Sequence, residues 1–457
     1  MAAIAPFRAL RYNLARVGDL SAVVAPPYDV ISPQQQAQLY AASPYNIVRL
    51  ILGQRAPTDT DMDNWYTRAK RDFDAWQQAQ VLVRDETPAI YLYEHAFSGQ
   101  GQPPHLPGFA GREPPRSGSP SANEQVGGQR LRRLGCVARL SLDDASVTQV
   151  LSHESTFEGP KADRAKLLDV VEANLSPIFC LAPDPQQQML ALMRGWAHTQ
   201  PPLAGVQLPS DETARIWAVT EASAIEGLQR LLAPVSLLIA DGHHRFAVAR
   251  SMRARFGTVM IYISTLEDPA VRVRPIHRVV RVPSIAPSQW ATRLGALCEV
   301  APAVSPAALT RWLDASEDQG RFGCYVDGRT YQVRLRDEVL ADAVLRPTPT
   351  AVGAAGLDVT LLHHVLLPHL QAHPPTRLVG GQGGTATPVG ALECVYTPDV
   401  SEAMAMVDRR EGDGAWLLRG IPMAQVMALA RQGIMLPQKT TYFYPKLLSG
   451  LFINPLE

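Results

Sequence analysis

Between Val235 and Arg250 the chain changes its hydrophobic period within one turn, and this constrains the fold more than any other stretch. Val235 to Ala240 is a short, mostly apolar run that reads as a buried strand, and it ends on Asp241-Gly242. Beyond Gly242, the residues Phe246, Ala249, Met252 and Phe256 share one helical face, with no proline or glycine among them until Gly257. The polar block Asp241-Gly242-His243-His244-Arg245 therefore sits at a strand-to-helix junction. Backbone N–H groups in a first helical turn lack intrahelical acceptors and carry partial positive charge, so they attract anions. Gly242 admits a phosphate close to the backbone, Arg245 is suited to bidentate phosphate binding, and Asp241 to a hard cation such as Mg2+. The structural alternative makes Asp241 an N-cap and Arg245 a solvated first-turn residue. A metal site built from His243 and His244 fits poorly, because helix neighbours point about 100° apart.

Strands and helices alternate on both sides of this junction, as expected of an α/β protein, or one describable as α+β. The 457 residues exceed one ordinary core. We divide them into an N-terminal α/β segment (1–149), a phosphate-binding unit (150–285) and a C-terminal α/β unit with a docked tail (286–457). Within the first segment, Ala25-Pro-Pro-Tyr28-Asp29 is an extended turn presenting Tyr28 and Asp29, and Ser32-Pro33 opens a helix. Residues 44–52 read as a β-branched strand, with Asn46 and Arg49 on an exposed face; a ligand contact is the alternative there. Trp65, Ala69, Phe73 and Trp76 form the core stripe of a helix over 61–80. Residues 98–130, rich in Gly, Pro, Ser and Gln, read as a long polar loop joining two paired strands. Val150 to Gly159 ends a strand on His153-Glu154; a solvated loop pair is the alternative there. For His277-Arg278 the alternative is an exposed strand face. Gly380 to Gly384 lacks the lysine and hydroxyl residue of a phosphate loop. The segment Lys439-Thr-Thr-Tyr-Phe-Tyr-Pro-Lys446 is too aromatic for a frayed end; it reads as a docked tail that supplies cations to an anionic site.

Lys+Arg and Asp+Glu are both 43, so the formal net charge is zero, which argues against a general nucleic-acid binder. The five cysteines are scattered, with no C-x-x-C pair, as expected of small buried hydrophobes in a reducing compartment. No apolar run reaches membrane-spanning length, and no secretory leader pattern opens the chain. A cytoplasmic location follows as an expectation.

Taken together, Ala25-Pro-Pro-Tyr-Asp-Val, Tyr45-Asn-Ile-Val-Arg-Leu, His153-Glu-Ser-Thr with Pro160-Lys and Asp163-Arg, Ala240-Asp-Gly-His-His-Arg, His277-Arg and Lys439-Thr-Thr-Tyr-Phe-Tyr-Pro-Lys resemble domain-of-unknown-function family 1015 over nearly the whole chain. Residues 150–285 are also similar to the free serine kinases of the ParB/sulfiredoxin-like superfamily. That second resemblance implies a ParB/sulfiredoxin-like central unit, flanked by N-terminal strands and a C-terminal α/β unit. It implies phosphorylation of a small, serine-like hydroxyl compound with ATP or ADP and Mg2+. Glu154 would be the general base, Asp241 the catalytic metal ligand, and Gly242, His243, His244 and Arg245 the phosphate cradle. Arg278 and Lys439 are further phosphate-binding candidates, and His153, His277 and Asp29 substrate-binding ones. The sulfiredoxin branch needs a cysteine where His243 stands, and the ParB branch needs a basic DNA-binding appendage. The expected partners are a nucleotide and a small hydroxyl metabolite, without nucleic acid or membrane; a homodimer is left open. Two rival functions use the same anion site: a non-catalytic nucleotide-binding regulator, and a phosphatase or phosphodiesterase.

Overall fold

The structure is a computed structural model. It describes residues 3–98, 130–156, 158–208, 212–283, 285–303, 305–316, 318–345, 353–371, 393–437 and 439–456. Nearly all of the polar loop expected over 98–130, and the glycine run 380–384, lie outside the described residues. The chain divides into two compact units. One comprises Met1–Ser152, Thr156–Arg272 and Phe443–Glu457; the other comprises His153–Ser155 and Val273–Tyr442. Both are mixed α/β.

The first unit is built on a nine-stranded sheet. Its path runs Val150–Leu151, Leu237–Asp241, Ile178–Ala182, Thr258–Thr265, Arg130–Ser141, Ile90–Ser98, Thr213–Val219 and Ala204–Gln207, with Ile4–Ala5 added on Arg130–Ser141. Two contacts are parallel, Leu237–Asp241 on Val150–Leu151 and Thr258–Thr265 on Ile178–Ala182. Ile90–Ser98 and Arg130–Ser141 pair antiparallel, as the sequence suggests.

Strand alternation sends two different sets of side chains to the two faces. Ile90, Leu92, Cys136, Ala138, Cys180, Ile239, Ile261 and Ile263 join one apolar core with Met193, Leu228, Phe246 and Ala249, which come from helices Gln188–Thr199, Ala222–Leu232 and His243–Ser251. The aromatic residues Tyr91, Phe97, Phe179 and Tyr262 belong to the alternate positions. The C-terminal segment packs on these: Phe443 lies 6.0 Å from Phe179, Tyr444 5.4 Å from Phe97, and Phe452 5.1 Å from Tyr91, between ring centroids. Asn454–Pro455 pairs with Ala173–Asn174.

Helices Pro33–Ala42 and Trp65–Gln78 form where sequence patterning places them. The first carries a Ser32/Gln35 capping box, and the second buries Trp65, Ala69, Phe73 and Trp76. The run 44–52 is not a strand. Val48–Ile51 is a short helix, and Asn46 is fully buried rather than on an exposed face. The Asn46 amide donates to Ala22 O (2.8 Å) and Val24 O (3.2 Å), while its oxygen accepts from Val48 N at 2.9 Å. Packing of Ile47, Val48 and Leu50 overrides the β preference of branched residues.

The second unit holds a six-stranded antiparallel sheet in the order Cys298–Pro302, Arg329–Leu335, Arg321–Val326, Gly414–Leu417, His277–Arg281, Glu393–Thr397. Trp290, Phe322 and Trp416 centre a core on one face; Leu309, Ala403 and Ala415 belong to a second cluster. Cys136, Cys180, Cys298 and Cys324 are buried and unbonded, and Cys394 is partly exposed. No helix among the described residues is long and apolar enough to cross a membrane.

Candidate phosphate site

Asp241 closes the strand Leu237–Asp241, where the register against Ile178–Ala182 shifts between Ile239 and Asp241. A shift of this kind re-aims the side chain that comes after it. Gly242 comes next with φ +97°, in the left-handed region that favours glycine. A Cβ there would lie 3.0 Å from Arg245 Nη2. Glycine therefore serves both the turn and the guanidinium folded back across it.

Arg245, in the first turn of helix His243–Ser251, donates from Nη2 to Asp241 Oδ2 at 2.7 Å. Its Nη1 donates to Ser176 Oγ (3.0 Å) and Pro177 O (2.6 Å). Its Nε–H is buried and has no hydrogen-bond partner among the described residues. The ammonium of Lys446 pairs with the other Asp241 oxygen, Oδ1. The side chains of Asp241, Arg245 and Lys446 are only 11%, 14% and 12% exposed, so solvent screens them weakly. His243 is buried and His244 is partly exposed.

Tyr28 lies beside this cluster. Burial pushes its phenol up to about 12; Asp29 and Asp241 push the same way, while Arg164 and Arg245 oppose them. The Arg164 guanidinium stacks 4.0 Å from the Tyr28 ring centroid. It donates to Asp163 from Nε at 2.9 Å and to Ile51 O at 2.8 Å. Tyr28, Arg164, Ser176 and Arg245 contribute to the wall of a small cavity of about 60 Å3, with Leu167 and Val248 among its apolar lining. That is room for ordered water or a small ligand group.

Lys446 is presented by an anchored segment. Tyr444 donates to Glu212 Oε1, and His95 Nε2 lies 2.9 Å from Glu212 Oε2. Burial raises the Glu212 carboxyl, but its bonds with His95 and Tyr444 outweigh that and hold it below its ordinary value.

The remaining candidates belong to the second unit. Glu154 Oε1 accepts from Thr440 N (3.2 Å), Thr441 N (3.1 Å) and Thr441 Oγ1 (3.1 Å). His153 Nε2 lies 2.9 Å from the same hydroxyl, and Leu436 N donates to His153 O at 2.8 Å. Two motifs far apart in sequence, His153-Glu154 and Thr440-Thr441, thus fold as one piece. His277 and Arg278 are 2% and 1% exposed, so neither occupies an exposed strand face. His277 Nδ1 accepts from Leu418 N at 3.2 Å; burial, and then the neighbouring Arg278 charge, lower its imidazole to about 4. Arg278 donates to Ile276 O, to Lys439 O (3.0 Å) and to His363 Nε2 (3.4 Å), and burial lowers it to about 10. Lys439 meets Arg278 through its backbone carbonyl.

In the first unit, then, Asp241, Gly242, His243, His244 and Arg245 form one turn with Tyr28 beside it, and Asp29, next to Tyr28, is exposed. His153, Glu154, His277, Arg278 and Lys439 belong to the second unit. Sequence reasoning passes over Arg164 and Ser176, whose neighbouring motifs carry no local sign of Tyr28 or Arg245. It also passes over Thr440 and Thr441 as partners of Glu154; two hydroxyl residues beside Lys439 are the available signal.

A Mg2+ ion fits this chemistry in one mode. Among the described residues, no group of three or more His, Cys, Asp or Glu is placed to hold a metal. Mg2+ commonly uses one or two carboxylates and completes its shell with water and phosphate oxygens. Asp241 offers one such carboxylate, and its two oxygens are paired with Arg245 and Lys446. The Arg245 guanidinium covers Gly242, and its Nε–H is buried without a hydrogen-bond partner among the described residues.

No curated protein matches the chain. Among solved structures, free serine kinase in complex with AMP is 13% identical, with a TM-score of 0.35 over 70% of this chain and 91% of its own. A conserved hypothetical protein from Pyrococcus furiosus is 14% identical, with a TM-score of 0.34 over 68% and 92%. SbnI from Staphylococcus aureus, with a C-terminal truncation, is 7% identical, with a TM-score of 0.34 over 68% and 85%. Likeness at that level decides nothing about the site. The family model described as "Protein of unknown function (DUF1015)" matches residues 4–110 and 122–360, most of the chain, and the protein belongs to that family.

Proposed function

We propose that the chain is a phosphotransferase that binds ATP or ADP with Mg2+ and phosphorylates a small hydroxyl metabolite. One observation carries the reading. A guanidinium is folded over Gly242 at a helix start, paired to Asp241, with a buried N–H left over. Phosphoryl transfer is mostly positioning and charge stabilisation, and these are the groups it needs.

Each residue then has a task. The first-turn N–H groups of His243 and His244 and the Arg245 guanidinium hold phosphate oxygens. Asp241 would hold the metal, and the metal would supply shielding for the phosphate charge. In the second unit, Glu154, held by the Thr440 and Thr441 donors, is the candidate general base for a substrate hydroxyl. His153 fixes Thr441. Asp29 is the substrate-facing acid beside Tyr28.

The test is calorimetric titration of ATP and ADP with and without Mg2+, then turnover with a panel of small alcohols. Metal-dependent binding together with alcohol-dependent loss of nucleotide is expected. Binding without turnover would favour the regulatory alternative. Phosphate release from phosphoesters without nucleotide would favour a phosphatase.

A further inference from the structure

His153, Glu154 and Thr441 all lie in the second unit, and their hydrogen bonds admit one direction. Thr440 N and Thr441 N reach Glu154 Oε1 at 3.2 and 3.1 Å. A backbone N–H only donates, so Oε1 is an accepting oxygen. The Thr441 hydroxyl lies 3.1 Å from that oxygen and 2.9 Å from His153 Nε2, with one proton to direct. Turned towards the ring, it would set a lone pair against an accepting oxygen. Turned towards Oε1, it needs a donor from the ring, so His153 Nε2 must carry a proton. That nitrogen is 3.9 Å from Oε1, beyond a direct hydrogen bond, and the hydroxyl is the bridge. We infer that His153 is a positioning residue for Glu154: it keeps a proton on Nε2, directs it at Thr441 Oγ1, and so holds the Thr441 hydroxyl turned onto the carboxylate.

The surroundings enforce this direction. His153 is fully buried and Thr441 is buried as well. The carbonyl of His153 accepts from Leu436 N at 2.8 Å, and Glu154 forms a β-bridge with Leu436, so the backbone on both sides of the relay is held. A hydroxyl turned the wrong way in a buried place leaves a hydrogen bond unmade, which is costly. The consequence for chemistry is control of the base. Hydrogen bonds to a carboxylate favour its charged form, so removing one makes proton uptake easier. The Arg278 charge also acts on Glu154. The catalytic half of the inference rests on the reading of Glu154 as general base; the direction of the hydrogen bonds does not.

The experiment exploits that separation. It uses the full-length parent, Thr441→Val, Thr441→Ser, His153→Leu and His153→Gln, each first shown to melt cooperatively. The first readout is which ring nitrogen carries the proton, taken from NMR of histidine-labelled protein, with His153 assigned by its missing signal in His153→Gln. A proton on Nε2 in the parent, displaced in Thr441→Val, is expected. A ring protonated on Nδ1 alone overturns the inference, with or without turnover. The second readout is nucleotide turnover with small alcohols as a function of pH. Thr441→Val removes one charge-assisted bond, so the acid limb of kcat should move up by about one pH unit, with KM for the nucleotide nearly unchanged. His153→Leu should move the limb the same way by less. Thr441→Ser, and His153→Gln with an amide N–H in place of the ring donor, should take back most of these shifts. A lowered kcat with an unmoved limb in both Thr441→Val and His153→Leu makes the two residues mere packing and overturns the inference. A proton on Nε2 without turnover in any form sinks the phosphotransferase reading and leaves the hydrogen-bond direction standing. Should one of these two variants fail to fold, the parent ring signal and the other variant decide the matter.

Discussion

Arg245 and Arg278 are both arginines in histidine-containing motifs, and their surroundings differ. Arg245 follows the end of a strand, where the chain turns through Gly242 into a helix. Its neighbours are a carboxylate, a serine hydroxyl and a single carbonyl, and its Nε–H is left over. Arg278 lies within a strand flanked on both sides, by Glu393–Thr397 and Gly414–Leu417. Its donors go to the carbonyls of Ile276 and Lys439 and to a histidine, with the Tyr396 ring centroid 5.6 Å away. Placement decides the outcome. A guanidinium at a strand-to-helix turn keeps capacity for a ligand, whereas one inside a sheet is absorbed by backbone acceptors. We propose that Arg245 is the stronger candidate for ligand binding, and that Arg278, with His277, serves mainly to hold the second unit together.

The largest effect should come from Glu154→Gln, which retains an oxygen able to accept from Thr440 and Thr441 but removes the base. Turnover should fall by roughly 10²–10⁴-fold with nucleotide affinity nearly unchanged; steady-state kinetics beside calorimetry reads both. Arg245→Lys comes next. An ammonium cannot reproduce a planar fork that spans Asp241, Ser176 and Pro177, so affinity for Mg2+-nucleotide should weaken by about 10–100-fold, the scale of one charge-assisted hydrogen bond. The contrasting substitution, Arg278→Met, should leave nucleotide affinity within about twofold. It should lower unfolding stability by about 1–3 kcal/mol, because buried carbonyls lose their donor. If Arg278→Met instead weakens binding as much as Arg245→Lys, the distinction between the two arginines collapses.

Much of the strand-to-helix turn is legible in the sequence because the hydrophobic period changes at Gly242. Sequence periodicity carries the core helix through Trp65, Phe73 and Trp76 and the paired strands beside the long polar loop. It fails at 44–52, where the deciding contacts come from Asn46 reaching back to Ala22 and Val24. The Lys446–Asp241 pair spans 205 residues. The two motifs can each be seen, but their pairing depends on where the tail docks. The role of Arg278 is hidden because its partners are mainly backbone carbonyls, which leave no mark in a sequence.

The smallest effect concerns pH. Burial lowers His277 and His363 to about 4, well below the unfolded imidazole. Between about pH 4 and 6.5 the unfolded chain therefore binds more protons at these sites than the folded one. Their contribution is present above about pH 6.5 and is lost as the pH falls towards 4. Chemical denaturation across that range should show stability rising with pH. His277→Gln should flatten the slope, removing on the order of 1–3 kcal/mol of pH dependence, without altering nucleotide affinity at neutral pH.

The central claim is that the Asp241 turn holds a metal-bound phosphate. Its most direct test is an ATP and ADP titration of Asp241→Asn against the parent, with and without Mg2+, on protein shown to melt cooperatively. The account predicts that Mg2+ strengthens binding to the parent and has no effect on the variant. Equal strengthening of both by Mg2+ would contradict it and make the turn at 241–245 a structural cap.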